Sequence, residues 1–184
     1  MEKFKALDQI YQADARSLYF SIVDRETGEY RPLELKDIYE TVASVELSPS
    51  VPEDVRSQFN VAKNLAVYTW FSYSFHQISE LKAFSTLEMA LKLKFGKGKN
   101  SFKDLIKKSI ASGLIKDKGF SLITETLEDE DSMEYSKALP DVIPYLRNEL
   151  AHGSTMLHPG SITNLAICAD FINQLFQNES NNKI

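Results

Sequence analysis

Arg147 and His152 are the residues whose types and spacing could do chemistry in this chain. Arg147 carries a permanent charge on a planar donor fork that matches phosphate. His152 brings the side-chain type that takes or gives a proton in general acid–base chemistry. An anion clamp beside a proton carrier is suited to work on a phosphodiester. They lie in the run Arg147-Asn148-Glu149-Leu150-Ala151-His152-Gly153. Spacing constrains them, because residues five apart on an α-helix are rotated by about 140° and do not face each other. Asn148 and His152 do share a face. Arg147 can meet His152 only if the helix ends here, or if a second chain brings its own pair across a shared cleft. Gly153 is the expected end, since glycine accepts the left-handed conformation that closes helices. His152 then belongs to a last, loose turn.

The elements that must hold this run are read from apolar periodicity. Residues 2 to 15 place Phe4, Leu7, Ile10 and Tyr11 at helical spacing, which predicts an amphipathic helix. Over residues 17 to 31, alternation at Leu18, Phe20 and Ile22 followed by Arg25-Glu26-Thr27-Gly28-Glu29 suggests a short β-hairpin. Leu35, Ile38, Tyr39, Val42 and Val45 suggest a short helix that ends before Ser48-Pro49-Ser50-Val51-Pro52. That Pro/Ser segment is the clearest boundary, and residues 1 to 48 read as an extension packed on the main domain. A wide-faced, largely buried helix is expected from about residue 53 to Tyr73, and another from about His76 to Phe95. Ser101-x-x-Asp104 reads as a capping pair for a helix that stops at Gly113. Residues 114 to 134, with the acidic run Glu128-Asp129-Glu130-Asp131, read as a loop or a poorly ordered insert. The motif helix is expected to begin near Pro140 or Pro144, and a last helix, capped by Ser161, runs to about Phe176 before a polar tail over 179 to 184. The expected fold class is all-α, a four-helix up-and-down bundle over residues 50 to 178.

Glu88 is out of place in this pattern. It stands four residues from Phe84 and three from Leu91, so a carboxylate interrupts an apolar stripe. A buried, unpaired carboxylate is costly, and Arg147 is one partner that could satisfy it.

Arg147-Asn148-x-x-x-His152 resembles the Arg-polar-x-x-x-His signature of the HEPN superfamily, small helical domains of prokaryotic toxins and defence ribonucleases and of some inactive binding proteins. Leu81, Leu87, Glu88, Ala90 and Leu91 upstream, and one amphipathic helix downstream, fit the same context. The resemblance covers roughly residues 50 to 178. It implies RNA cleavage that needs neither metal nor other cofactor, by attack of the ribose 2′-OH on the adjacent phosphate to leave a 2′,3′-cyclic end. In that scheme His152 moves a proton, Arg147 binds the scissile phosphate and Asn148 orients one of them, with Glu88 and Glu149 in support. It also implies a homodimer with the cleft at its interface, and an antitoxin protein as a possible partner. Some toxin members have Tyr two residues after the histidine, where this chain has Ser154. The alternative is a non-catalytic module that binds nucleotide, RNA or protein.

Composition sets the limits. The chain has 184 residues, is 43% hydrophobic and 26% charged, and has a formal net charge of −5, which disfavours a general nucleic-acid binder. Yet Lys82 to Lys118 holds ten lysines against three acids. Lys92, Lys94, Lys97, Lys99, Lys103 and Lys107 are the expected RNA contacts. One cysteine, Cys168, cannot form an internal disulfide, and no apolar run is long enough for a membrane span, so a cytoplasmic protein is expected. His152, His158 and Cys168 match no standard metal site.

Overall fold

The computed structural model describes residues 4–177, apart from Arg25, Lys97, 125–128 and 130–131. Most of the acidic run and the polar tail thus lie outside the described residues. Among the described residues the fold is mostly helical. There are seven α-helices, α1 (Leu35–Ala43), α2 (Glu53–Tyr68), α3 (Phe75–Phe95), α4 (Phe102–Ala111), α5 (Ser121–Thr124), α6 (Glu134–Ala151) and α7 (Ser161–Phe176). An antiparallel hairpin precedes them, β1 (Ser21–Val23) with β2 (Tyr30–Pro32), in register Ile22 with Arg31. No helix among the described residues is long and apolar enough to cross a membrane.

The central element is α3, which packs against α2, α4, α6 and α7. Its buried side chains, among them Ala83, Phe84, Leu87, Ala90 and Leu91, face in several directions, as a helix surrounded by others requires. Helix directions follow from paired residues. Ser79 donates to the Ala62 carbonyl and Lys82 reaches Gln58, so α2 and α3 are antiparallel. His76 meets Ser161 and Asn164 meets Glu80, so α7 runs parallel to α3. Arg147 of α6 meets Glu88 while Ser154, just after α6, meets Gln77, so α6 packs on α3 and runs antiparallel to it and to α7. The order α2, α3, α6, α7 is up-and-down. The bundle holds more than the four helices expected, because α4 also packs, against α3 and α6.

Several expectations needed correction. The amphipathic helix over residues 2 to 15 is absent from the described part of that stretch, where one 3₁₀ turn (Leu7–Gln9) stands and Phe4, Leu7 and Tyr11 are exposed. Among the described residues nothing covers their apolar face, and a short helix without packing is marginal. Asp14 fixes this segment instead. Its amide donates to the Trp70 carbonyl at 2.8 Å, and its carboxylate accepts from the Tyr73 amide at 2.9 Å and from Arg16 at 2.8 Å. The Arg16 side chain holds the Asp14 carboxyl well below the usual carboxylate range. α2 ends at Tyr68 rather than Tyr73, and with Val61 and Tyr68 exposed it buries one stripe, Val55, Phe59, Ala62 and Ala66, not a wide face. Residues 114 to 123 are not a loose insert, since Ile115 and Phe120 are fully buried in the core.

The extension and the bundle share a core, as Ile38 and Val42 of α1 join Val55, Phe84, Leu165 and Ile172 in one cluster. The 48-to-52 boundary is bolted to α7, where Asn173 accepts from the Ser48 amide at 2.8 Å and donates to the Glu46 carbonyl at 3.0 Å.

Candidate functional site

Both ends of α6 are fixed by chemistry outside the helix. Its start lies six residues before Pro140, earlier than either proline suggested. Asp117, on a 3₁₀ turn (Asp117–Gly119), is 1% exposed and accepts from the Tyr135 amide at 3.0 Å, the Ser136 amide at 2.8 Å and the Ser132 hydroxyl at 2.9 Å, and also from the Ser136 hydroxyl. A carboxylate here satisfies first-turn donors and meets the positive end of the helix dipole, so the helix begins upstream and carries both prolines inside. Burial alone would raise the Asp117 pKa, but the Ser136, Tyr135 and Ser132 hydrogen bonds outweigh it and lower it.

The other end closes as the sequence indicates. Gly153 has φ +89°, its amide donates to the Leu150 carbonyl at 3.3 Å, and the Ser154 amide donates to the Glu149 carbonyl at 3.1 Å. This pair of bonds is the Schellman closure. His152 is therefore the helix cap, exposed, with a set backbone and, among the described residues, no hydrogen-bond partner for its imidazole. Asn148 is exposed one turn before it. Replacing Gly153 by Ala is expected to destabilise the protein by about 1 kcal/mol, because a side chain disfavours this conformation. Urea denaturation would detect it, and no loss would mean the closure carries no strain.

Arg147 points elsewhere. Its guanidinium donates to Glu88 Oε2 at 2.9 Å and to Asn148 Oδ1 at 3.2 Å, and its Nε is buried without a hydrogen-bond partner among the described residues. Lys92 donates to the other Glu88 oxygen at 2.5 Å. The partner that sequence suggested for Glu88 is the one found. Arg147, Glu88 and Lys92 line an open cleft of about 420 Å³ with Asp54, Ser85 and Met89. His152 is not among its lining residues. One chain thus gathers Arg147, Asn148, Glu88 and Lys92, and leaves the imidazole on the adjoining face of α6.

The other lysines are dispersed. Lys103 pairs with Asp141 on α6, two turns before Asn148, and Lys107 is exposed on the same helix, α4. Lys94 sits over the Phe176 ring at 5.4 Å, which is away from the Arg147 cleft because residues two apart on α3 point to opposite sides. Lys99 is exposed in the loop before α4, and Lys97 lies outside the described residues. Glu149 is exposed and contributes its carbonyl to the helix end.

What sequence reasoning missed is the support behind His152. The Gln77 amide on α3 donates to the carbonyls of Ser154 at 2.8 Å and Met156 at 2.7 Å, holding the loop that follows the motif. One turn on, Glu80 is 1% exposed; it accepts from Asn164 at 2.6 Å and faces His158 Nε2 at 3.2 Å. The available signal was slight, because Gln77 and Glu80 stand among other polar residues of α3 such as Ser79 and Lys82. Burial pushes the Glu80 carboxyl above its ordinary value near 4.5, against the opposing effects of His158 and Asn164. A raised folded pKa stabilises fully below the unfolded value and loses that contribution as pH rises through the folded one. Glu80→Gln should therefore gain in Tm relative to wild type between pH 4 and pH 8. A constant difference across that range would contradict the assignment.

Among the described residues, no group of three His, Cys, Asp or Glu side chains could hold a metal ion. Cys168 is fully buried, which pushes its thiol pKa up. Compared with known protein families, curated proteins and solved structures, the chain finds no match.

Proposed function

We propose that this protein is a metal-independent endoribonuclease of the HEPN type, acting as a homodimer in a toxin or phage-defence role. The observation that carries the reading is the end of α6, where an exposed imidazole, without a hydrogen-bond partner among the described residues, is held by a Schellman closure with Asn148 on its face. Arg147 stands on the neighbouring face in an open cleft that also holds Lys92.

A second copy resolves the 140° offset, since a two-fold axis beside α6 brings one chain's Arg147 toward the other's His152. In the reaction, the ribose 2′-oxygen bonds to phosphorus, its proton leaves, and the bond to the 5′-oxygen breaks as that oxygen gains a proton. His152 moves a proton, and Arg147 with Lys92 stabilises the growing phosphate charge. Arg147 must then exchange Glu88 for phosphate, a trade between two anions of similar geometry.

The scheme depends on the 2′-OH. RNA carrying a single 2′-deoxy sugar at the cut position should resist cleavage there, while cuts elsewhere continue. Cleavage through the deoxy sugar would rule out this route.

One observation favours a second reading, the non-catalytic module that binds nucleotide, RNA or a protein such as an antitoxin. The Arg147–Glu88 pair is complete within one chain and, together with Lys92, satisfies a carboxylate set beside the apolar residues of α3. On that reading Arg147 is structural. Binding of RNA by a folded dimer that cuts no RNA would select it.

A further inference from the structure

The Arg147 cleft lies along the second half of α3, whereas a pocket of about 230 Å³ lies beside the first turn of that helix, under the N-terminal hairpin. Phe20, Ile22 and Leu33 of the hairpin region, Ile38 of α1 and Ile162 of α7 supply its apolar wall. Asp37, the one charged wall residue among the described residues, is neutralised by Arg31 at 2.5 Å and caps α1 through the Glu34 amide at 2.9 Å. Such a site disfavours a charged guest.

Ser17, Ser21, Thr41, Thr69 and Tyr73 add polar atoms to the wall, and His76 adds a ring nitrogen that can orient a guest. His76 is buried, its Nδ1 is 2.6 Å from the Ser161 hydroxyl, and Tyr73 meets its ring edge-on at 4.7 Å between centroids. These contacts fix the ring plane. Its Nε2 has no hydrogen-bond partner among the described residues. Burial pushes the His76 pKa down to about 4, so the ring is neutral at pH 7 and offers either a donor or an acceptor.

Size narrows the guest. An apolar cavity of about 150 Å³ takes benzene, so one half as large again suits a bicyclic ring system. We propose that this pocket binds a neutral, planar bicyclic aromatic molecule of about nine or ten non-hydrogen atoms, with one heteroatom hydrogen-bonded to Nε2 of His76. Pro159 and Ile162 also line the pocket, so the guest touches the chain that follows His152.

Indole and quinoline are the probes, matched in shape but opposite in hydrogen bonding. Each would be titrated into the full chain at pH 7 while NMR signals of His76, Ile38 and Ile162 are followed. Saturable binding at one site tighter than about 1 mM is expected. Nε2 accepts from indole in one tautomer and donates to quinoline in the other, with the Ser161 hydroxyl taking the opposite role, so each probe should bind about tenfold more tightly than naphthalene, which has the same shape and no heteroatom. His76→Phe should remove that advantage. Ile22→Trp, at a half-exposed position, or Thr41→Trp, on the exposed side of α1, should fill the pocket and abolish binding of both. The proposal fails if neither probe saturates, if naphthalene binds as tightly as both, if the shifts map elsewhere, or if both tryptophan variants bind as wild type does.

Discussion

His152→Ala is expected to reduce RNA cleavage by about 10³-fold, within the range for loss of a group that moves a proton in the transition state. The effect should fall on the chemistry and not on the fold. The imidazole is exposed and has no hydrogen-bond partner among the described residues, and the helix end is closed by backbone bonds from Gly153 and Ser154. Thermal unfolding of the variant should therefore match wild type. Arg147→Ala should lose activity comparably, but with a structural cost, because it leaves Glu88 with Lys92 alone. Adding Glu88→Gln to Arg147→Ala should recover stability without recovering cleavage. Recovery of both would make Arg147 structural. Cleavage assays beside denaturation curves separate these outcomes.

Asp117→Ala should produce the largest change in stability, about 4 kcal/mol, with Tm falling by roughly 10 °C. The substitution strands two backbone amides and two hydroxyls at the start of α6, in a place with almost no access to water. Asp117→Asn keeps one acceptor oxygen and should lose about half as much. The pH dependence follows from the lowered folded pKa: the contribution is present above the ordinary value near 3.8 and is lost as pH falls through the folded value. Urea unfolding at pH 7 and pH 3 measures both effects. A loss below about 1 kcal/mol at pH 7 would show that α6 is held by its packing alone.

These two residues also show what was legible in the sequence. The end of α6 was readable, because a Gly after a periodic run has one main structural use, and Gly153 has it. The Ser101–Asp104 capping box and the hairpin were readable for the same reason: their chemistry is local. The partner of Glu88 could be proposed because a carboxylate in an apolar stripe demands one. The start of α6 was not readable, since its cap comes from Asp117, seventeen residues before the helix begins, and the prolines gave a stronger local signal in the wrong place. Ser161 was expected to cap α7, but Gly160 holds that position and the Ser161 hydroxyl is turned to His76. Phe4, Leu7 and Tyr11 misled because helical spacing says nothing about whether a surface exists to receive it. The Gln77 and Glu80 clamp went unread because each joins α3 to a chain segment about eighty residues away.

The central claim is that Arg147 and His152 together cut RNA without a metal. The most direct measurement is cleavage of end-labelled single-stranded RNA in EDTA by wild type, His152→Ala and Arg147→Ala, with the new 3′ ends identified. The account predicts cutting by wild type alone, leaving 2′,3′-cyclic phosphate. Equal cutting by all three proteins, or products with a free 3′-hydroxyl, would contradict it.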